Sequence, residues 1–365
     1  MADCWIDFEL TNDQRRCFAL ETVEPDWVKI ELKPSQYDLY DTFAYLCGNT
    51  LRKIICVGEG LYAEQAYWEA VSEDGKYLLP KTAKGKPVPL TAANALKRTP
   101  KGMSLVYSNR AASLANLTAQ RCFFRSSYVG LSLPAFSDFE AFVEQWCRET
   151  DAAKQTDVDA FARLPRIHQK YREGDFFRFR INRTLFGYGR ILVDYDAMRK
   201  NKIPFWDMFM GKPLCVCVYR IATERADCTV QELSALPKLP STMVMDNIFY
   251  YGECEIIGNR PLQPEDEDYP IHYGKSIFMG DDSLCYQCGK TFLTLPDRTE
   301  LRHDFRNNGI GWQLNVSLPV LLECIREDSN LPYWNQEHYA PVHQDLRNPK
   351  YHPLLEQVRA QFHIT

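Results

Sequence analysis

Apolar and polar positions follow one rhythm in the first half of the chain and another in the second. Val28, Ile30 and Leu32 alternate with Lys29 and Glu31, directly after Trp27. Side chains along a strand point to opposite faces in turn, so this pattern predicts a half-buried strand. Leu51 to Val57 predicts another, ended by Gly58 and Gly60. Tyr67 to Leu79 predicts a hairpin about Asp74-Gly75, a pair that accepts the backbone of a two-residue turn. Leu79 to Leu90 is a loop rich in proline, glycine and lysine, and Leu105–Tyr107 and Cys122–Phe124 predict further strands. Two places have helical spacing. Thr11 and Gln14 form a capping box before Cys17 and Phe18. Ser137 and Glu140 form another, followed by an apolar stripe of Phe139, Phe142, Val143, Trp146 and Cys147. The polar stretch Glu149 to Asp159 puts a domain boundary there.

From Glu173 onward, short strands are punctuated by glycine. Phe177, Phe179 and Ile181 share one strand face; Arg178, Arg180 and Asn182 share the other. After a turn at Asn182 to Thr184, Gly187, Gly189, Ile191 and Val193 share a face. Two glycines on one face suit a sharply coiled sheet. Leu214 to Tyr219 is apolar on both faces and predicts a central strand. Ile248 to Ile257 predicts a fourth, broken at Gly252. Pro264 to Asp268 is an acidic loop. A helix opens at Ser317 with Pro319 in its first turn and is expected to bury Leu318, Leu321, Leu322 and Ile325. A last amphipathic helix, Pro353 to Phe362, carries Leu355, Val358 and Phe362. The expected fold class is α+β. An N-terminal α+β domain (1–150) and a linker (151–170) precede a small twisted, SH3-like β-barrel-type domain with C-terminal helices (171–365).

Bulk properties narrow the classes. A length of 365 residues suits two domains, and 45% hydrophobic with 25% charged residues is ordinary for a globular chain. A net charge of −5 argues against coating nucleic acid by bulk electrostatics. The start, MADCWIDFELTNDQRR, has no basic stretch before an apolar run, so no secretory signal is expected; nor is a membrane span. The thirteen cysteines are odd in number, and most sit among apolar neighbours, as expected of core thiols in a reducing cytoplasm. There the glycosylation-type triplets at Asn116, Asn182 and Asn315 mean nothing.

Three motifs carry a family resemblance: the Gly174-Asp175 start, the strand FGYGRIL (Phe186–Leu192) and the strand GECEIIGNRPL (Gly252–Leu262). Together, over Tyr171 to about Leu262 and extending towards the YQCGKT strand near Tyr286, they resemble the immunity protein 26 family of bacterial polymorphic-toxin systems. Cys254 stands near the position where that family carries a tryptophan, and the segment between the motif blocks is longer. The resemblance implies a compact β-rich barrel that binds and neutralises a cognate protein toxin, with no enzymatic activity and no cofactor. It does not extend to the first 150 residues.

Candidate chemistry is sparse. Cys285 and Cys288 have the spacing of half a zinc knuckle, with His303 and Cys254 or Cys228 as conceivable partners, but no second C-x-x-C exists. No metal is expected. Gly289-Lys290-Thr291 and Gly274-Lys275-Ser276 lack the upstream glycine of a phosphate loop; Leu284 and Tyr269 stand there. Cys288, His303 and Asp304 could be imagined as a hydrolytic triad, a set that chance supplies in so cysteine-rich a chain. A basic stretch (Arg163, Arg166, His168, Lys170, Arg172, Arg178, Arg180 and Arg183) interleaves with Phe176, Phe177 and Phe179. It suits single-stranded nucleic acid, or simply a strand with one solvated face. PFWDMFM (Pro204–Met210) is a core helix or a partner patch rimmed by Arg199, Lys200 and Lys202. The acidic loop is solvated, or mimics the phosphates a basic toxin cleft expects. The candidate partner-binding residues are therefore Arg178, Arg180, Arg183, Phe205, Trp206, Phe209, Glu265, Asp266, Glu267 and Asp268. The expectation is a toxin-binding immunity protein. The alternative is a nucleic-acid or nucleotide reader, such as one in phage defence, with a Cys/His hydrolase third.

Overall fold

Alternation in the first half becomes an antiparallel meander. Strands β1 (Val28–Glu31), β2 (Tyr40–Cys47), β3 (Thr50–Gly58) and β4 (Leu61–Ala70) follow in space as in sequence. A small hairpin of β5 (Tyr77–Leu78) and β6 (Val88–Pro89) intervenes before β7 (Lys101–Ser108), β8 (Ala111–Asn116) and β9 (Arg121–Arg125). The sheet order is β1-β2-β3-β4-β7-β8-β9. The computed structural model describes residues 8–34, 40–202, 211–276, 283–297, 304–305 and 310–364. The chain divides into two compact units, Met1–Ile167 and His168–Thr365.

Both faces of the first sheet are covered. On one, the helix Phe136–Arg148 packs Phe139, Val143 and Trp146 against Tyr62, Tyr107 and Phe123; Phe139 stacks on Tyr107 at 4.8 Å. On the other, Leu51, Ile54 and Tyr67 pack with Leu78, Ala92 and Ala95. The capping box at Thr11 forms as expected. The one expected at Ser137 does not. The helix begins two residues earlier, capped at Ala135, whose N–H the Asp138 carboxylate accepts at 2.8 Å, and its first residue, Phe136, makes an edge contact with Phe8 at 5.1 Å. The polar stretch after it forms a helix too, Ala152–Ala162, capped by Asp151. Only Val158 of that helix is fully buried, which explains its polar sequence. Asn116 ties its end down by donating to the Phe161 and Ala162 carbonyls at 3.0 Å each.

The second unit is built on β10 (Asp175–Arg180), β11 (Phe186–Asp194), β12 (Pro213–Val218), β13 (Thr242–Met245) and β14 (Glu255–Asn259). Their order is β13-β12-β11-β10-β14, so the wholly buried β12 is interior, as its two apolar faces demand. A second sheet holds β15 (Ile271–Lys275), β16 (Ser283–Cys288), β17 (Thr291–Pro296) and β18 (Asp304–Phe305), ordered β17-β16-β15-β18. The molecule is thus α+β. Among the described residues neither sheet closes into a barrel: β13 and β14 are opposite edges of the first.

The expected strand from Ile248 begins only at Glu255. Ile248 and Phe249 are adjacent yet both buried, which a helical turn permits more readily than a half-exposed strand. Gln169 clasps that turn, donating to the Phe249 and Cys254 carbonyls and accepting the Ile256 N–H. The paired glycines have a direct cause. Gly187 faces Phe179 and Gly189 faces Phe177 across β10 and β11, and a Cβ on either would lie under 3.0 Å from the opposing ring. The helix Leu318–Arg326 follows Ser317 as expected, but it buries Leu321 and Cys324, while Leu322 and Ile325 are 48% and 40% exposed. Its inner side, through Val320, lines a small cavity of about 30 Å³ against β12, which turns Leu322 and Ile325 away. The last helix, His352–Gln361, buries Leu355 and Val358, with Phe362 beside it, against Tyr273 and Tyr286 of the second sheet. No helix among the described residues is long and apolar enough to cross a membrane.

Candidate partner-binding cleft

The arginines of β10 lie on the strand face opposite Phe177 and Phe179, as alternation requires. They are engaged there. Arg178 donates to the Ala226 carbonyl and pairs with Glu255 of the neighbouring strand. Arg180 donates to the Arg183 carbonyl at 2.9 Å, and both guanidiniums lie over the Phe186 ring, at 5.2 and 4.9 Å. Tyr188, on the same face, donates to the Arg225 carbonyl at 2.7 Å. The segment around residues 225 and 226 therefore covers part of this face, and Arg178 holds it down.

The acidic loop divides by position. Asp266 is buried and pairs with Arg190, whose side chain is wholly inaccessible, at 2.7 Å. Lys238 lies 3.4 Å from the same carboxylate. Burial alone would raise the Asp266 pKa, but the Gln263 N–H, Arg190 and Lys238 outweigh it and hold the group below its ordinary range. Asp268 accepts from Arg347 at 2.6 Å and from the Ser241 N–H at 3.0 Å. Glu265 and Glu267 are exposed and have no ion pair among the described residues. Alternate carboxylates thus point inward as anchors and outward as charges. This rests on Arg190 and Arg347, partners that sequence spacing does not reveal.

Arg347 is the hub. Nε and one terminal nitrogen bond Asp345, while the remaining N–H groups reach Asp268, the Ser241 hydroxyl and the Ser241 carbonyl. Burial opposes its charge, but Asp345 and Asp268 more than compensate and keep it protonated. Beside this hub opens a cleft of about 570 Å³, whose walls include Glu265, Glu267, Asp268, Tyr269, Trp334 and Lys238. The structure therefore brings Glu265, Glu267 and Asp268 to one cleft. Arg178, Arg180 and Arg183 are not among its walls, and Asp266 lies behind it. Phe205, Trp206 and Phe209 lie outside the described residues, as does His303.

The remaining motifs have structural uses. Cys285 and Cys288 are three apart on β16, so they point to opposite faces, and no metal-binding group of His, Cys, Asp or Glu is found among the described residues. Burial pushes the Cys288 thiol up, away from the thiolate a nucleophile needs. Gly289 occupies the turn between β16 and β17 with a positive φ of 53°. Cys254 is a buried core thiol.

A family model described as Immunity protein 26 matches residues 172–281. The match runs from β10 through β15, takes in the acidic loop, and covers less than a third of the chain. It ends between Leu262 and Tyr286, within the extension that the motifs suggested. No curated protein and no solved structure matches the chain.

Proposed function

We propose that this chain is a bacterial immunity protein that binds and neutralises a cognate protein toxin. The observation that carries the proposal is the Immunity protein 26 match over residues 172–281. The reading gives residues 171–365 the toxin-binding role, without catalysis or cofactor, in the cytoplasm. Inhibition is by steric coverage, with charge complementarity steering the encounter. Glu265 and Glu267 support this, because exposed, unpaired carboxylates on an anchored loop raise association rates with a basic target. Arg178, Arg180 and Arg183 support the alternative nucleic-acid reading less well, since Arg178 and Arg180 already hold their own fold.

The test is genetic. The reading frame directly upstream is first examined for a large secreted protein with a variable toxin tip, and that tip is then expressed in bacteria with and without this chain. The expected result is growth arrest by the tip alone and full rescue on co-expression. Arrest that persists despite equal expression of this chain removes the proposal.

A further inference from the structure

The cleft's polar groups are unequally spent. Each cation on its walls already has a carboxylate: Lys238 lies 3.4 Å from Asp266, Arg359 3.2 Å from Glu356, and Arg347 is shared between Asp268 and Asp345. All the N–H groups of Arg347 are used within the protein, so the guanidinium offers an incoming anion nothing. Unspent capacity on the walls is mostly for accepting. Glu265 and Glu267 carry free carboxylates. The buried Oδ1 of Asn330 accepts no hydrogen bond, although its amide nitrogen donates to the Lys238 carbonyl at 3.0 Å. Of the aromatic rings on the walls, Tyr269 is half-buried, whereas Trp334 is buried and already carries the Arg347 guanidinium 5.8 Å over its ring.

We infer that this cleft receives a lysine or arginine side chain of the protein partner, bound by Glu265 and Glu267 and flanked by Tyr269. The inference rests on the toxin-binding reading above and deepens it. A volume of about 570 Å³ admits a long cationic side chain with its stem. Carboxylates and aromatic faces are the groups that hold a guanidinium or ammonium. The loop is pre-set, because Asp266 is fixed by Arg190 and Asp268 by Arg347. Little ordering cost is then left for binding.

The experiment uses the full chain and the purified toxin tip of the growth assay, with association and dissociation measured at low and high salt. Glu265→Gln/Glu267→Gln should slow association on the order of 10-fold at low salt and flatten its salt dependence. Glu265→Lys/Glu267→Lys should weaken binding on the order of 100-fold or more, since like charges then face each other. Both positions are exposed, so melting temperatures should stay near wild type, and Glu140→Gln/Glu144→Gln in the first unit should bind normally. A single toxin Lys→Glu or Arg→Glu change should reproduce the loss and be rescued by Glu265→Lys/Glu267→Lys. Normal toxin binding by both acidic-loop variants would overturn the inference while leaving the proposed function intact. Absence of wild-type binding would instead overturn the function, and the inference with it. A titration with inorganic phosphate supplies the third arm: saturable binding lost in Lys238→Gln would mark the cleft as an anion site and also overturn it.

Discussion

Replacing Gly189 with alanine should damage the second unit more than the same change at Gly187, although both face a phenylalanine across β10 and β11. At Gly187 the three atoms nearest the new methyl all belong to the Phe179 ring, two of them at 2.7 and 2.9 Å. A ring tip can swing aside at the cost of local repacking. At Gly189 the methyl would meet both the Phe177 ring and the Cys217 carbonyl oxygen, each under 3.0 Å. That carbonyl belongs to β12, the buried interior strand, and moving it separates β11 from β12. Overpacking a core costs about 1–3 kcal/mol. We therefore expect about 1 kcal/mol for Gly187→Ala and about 3 kcal/mol or more for Gly189→Ala. In a unit of about 200 residues, 3 kcal/mol lowers the melting temperature by roughly 6–12 °C. Urea and thermal melts of the two variants provide the comparison. Phe179→Leu should restore part of the loss in Gly187→Ala, while Phe177→Leu should barely help Gly189→Ala. Equal destabilisation of the two variants, or full rescue by Phe177→Leu, would refute the backbone clash.

Two further outcomes follow from buried polar groups. Burial pushes His272 from 6.5 down to about 4, with Asp345 opposing and Arg347 reinforcing the drop. Between those values the unfolded chain takes up a proton that the folded chain refuses, so stability falls as pH falls from 6.5 to about 4, by on the order of 3 kcal/mol. His272→Gln should lose that part of the slope in urea melts across the range, and an unchanged slope would exclude His272 as its source. Asn116→Ala should cost about 1–3 kcal/mol, because the Phe161 and Ala162 carbonyls and the Ala119 N–H lose their partner. Hydrogen exchange should then quicken across Ala152–Ala162; unaltered protection there would show that Asn116 does not tether the helix.

Much of the local structure was legible in the chain itself. Period-two alternation gave β1, although Val28 is left exposed, and β10; an apolar run ended by glycine gave β3, the helical stripe gave Phe136–Arg148, and two glycines on one face marked where Phe177 and Phe179 press across the sheet. These depend on neighbours a few residues apart, which a sequence displays directly. The motifs at Gly174, Phe186 and Gly252 likewise pointed to the family whose model matches residues 172–281. The short strand β13 escaped notice, and Leu322 and Ile325 were expected to be buried, because both depend on packing against distant segments.

The candidate site shows the same division. The sequence displayed four carboxylates in a row and a ladder of arginines, all alike as charges. The fold separated them. Arg190, from β11, took Asp266 inside, and Arg347, 79 residues beyond Asp268 along the chain, took that carboxylate too, while Arg178 turned to Glu255 and the Ala226 carbonyl. Glu265 and Glu267 were left facing solvent beside the cleft. Sequence determined which side chains carry charge and which strand face they take. Tertiary structure decided which of those charges are free to meet a partner, because a buried ion pair needs a counter-ion within a few ångströms and only the folded chain brings one there.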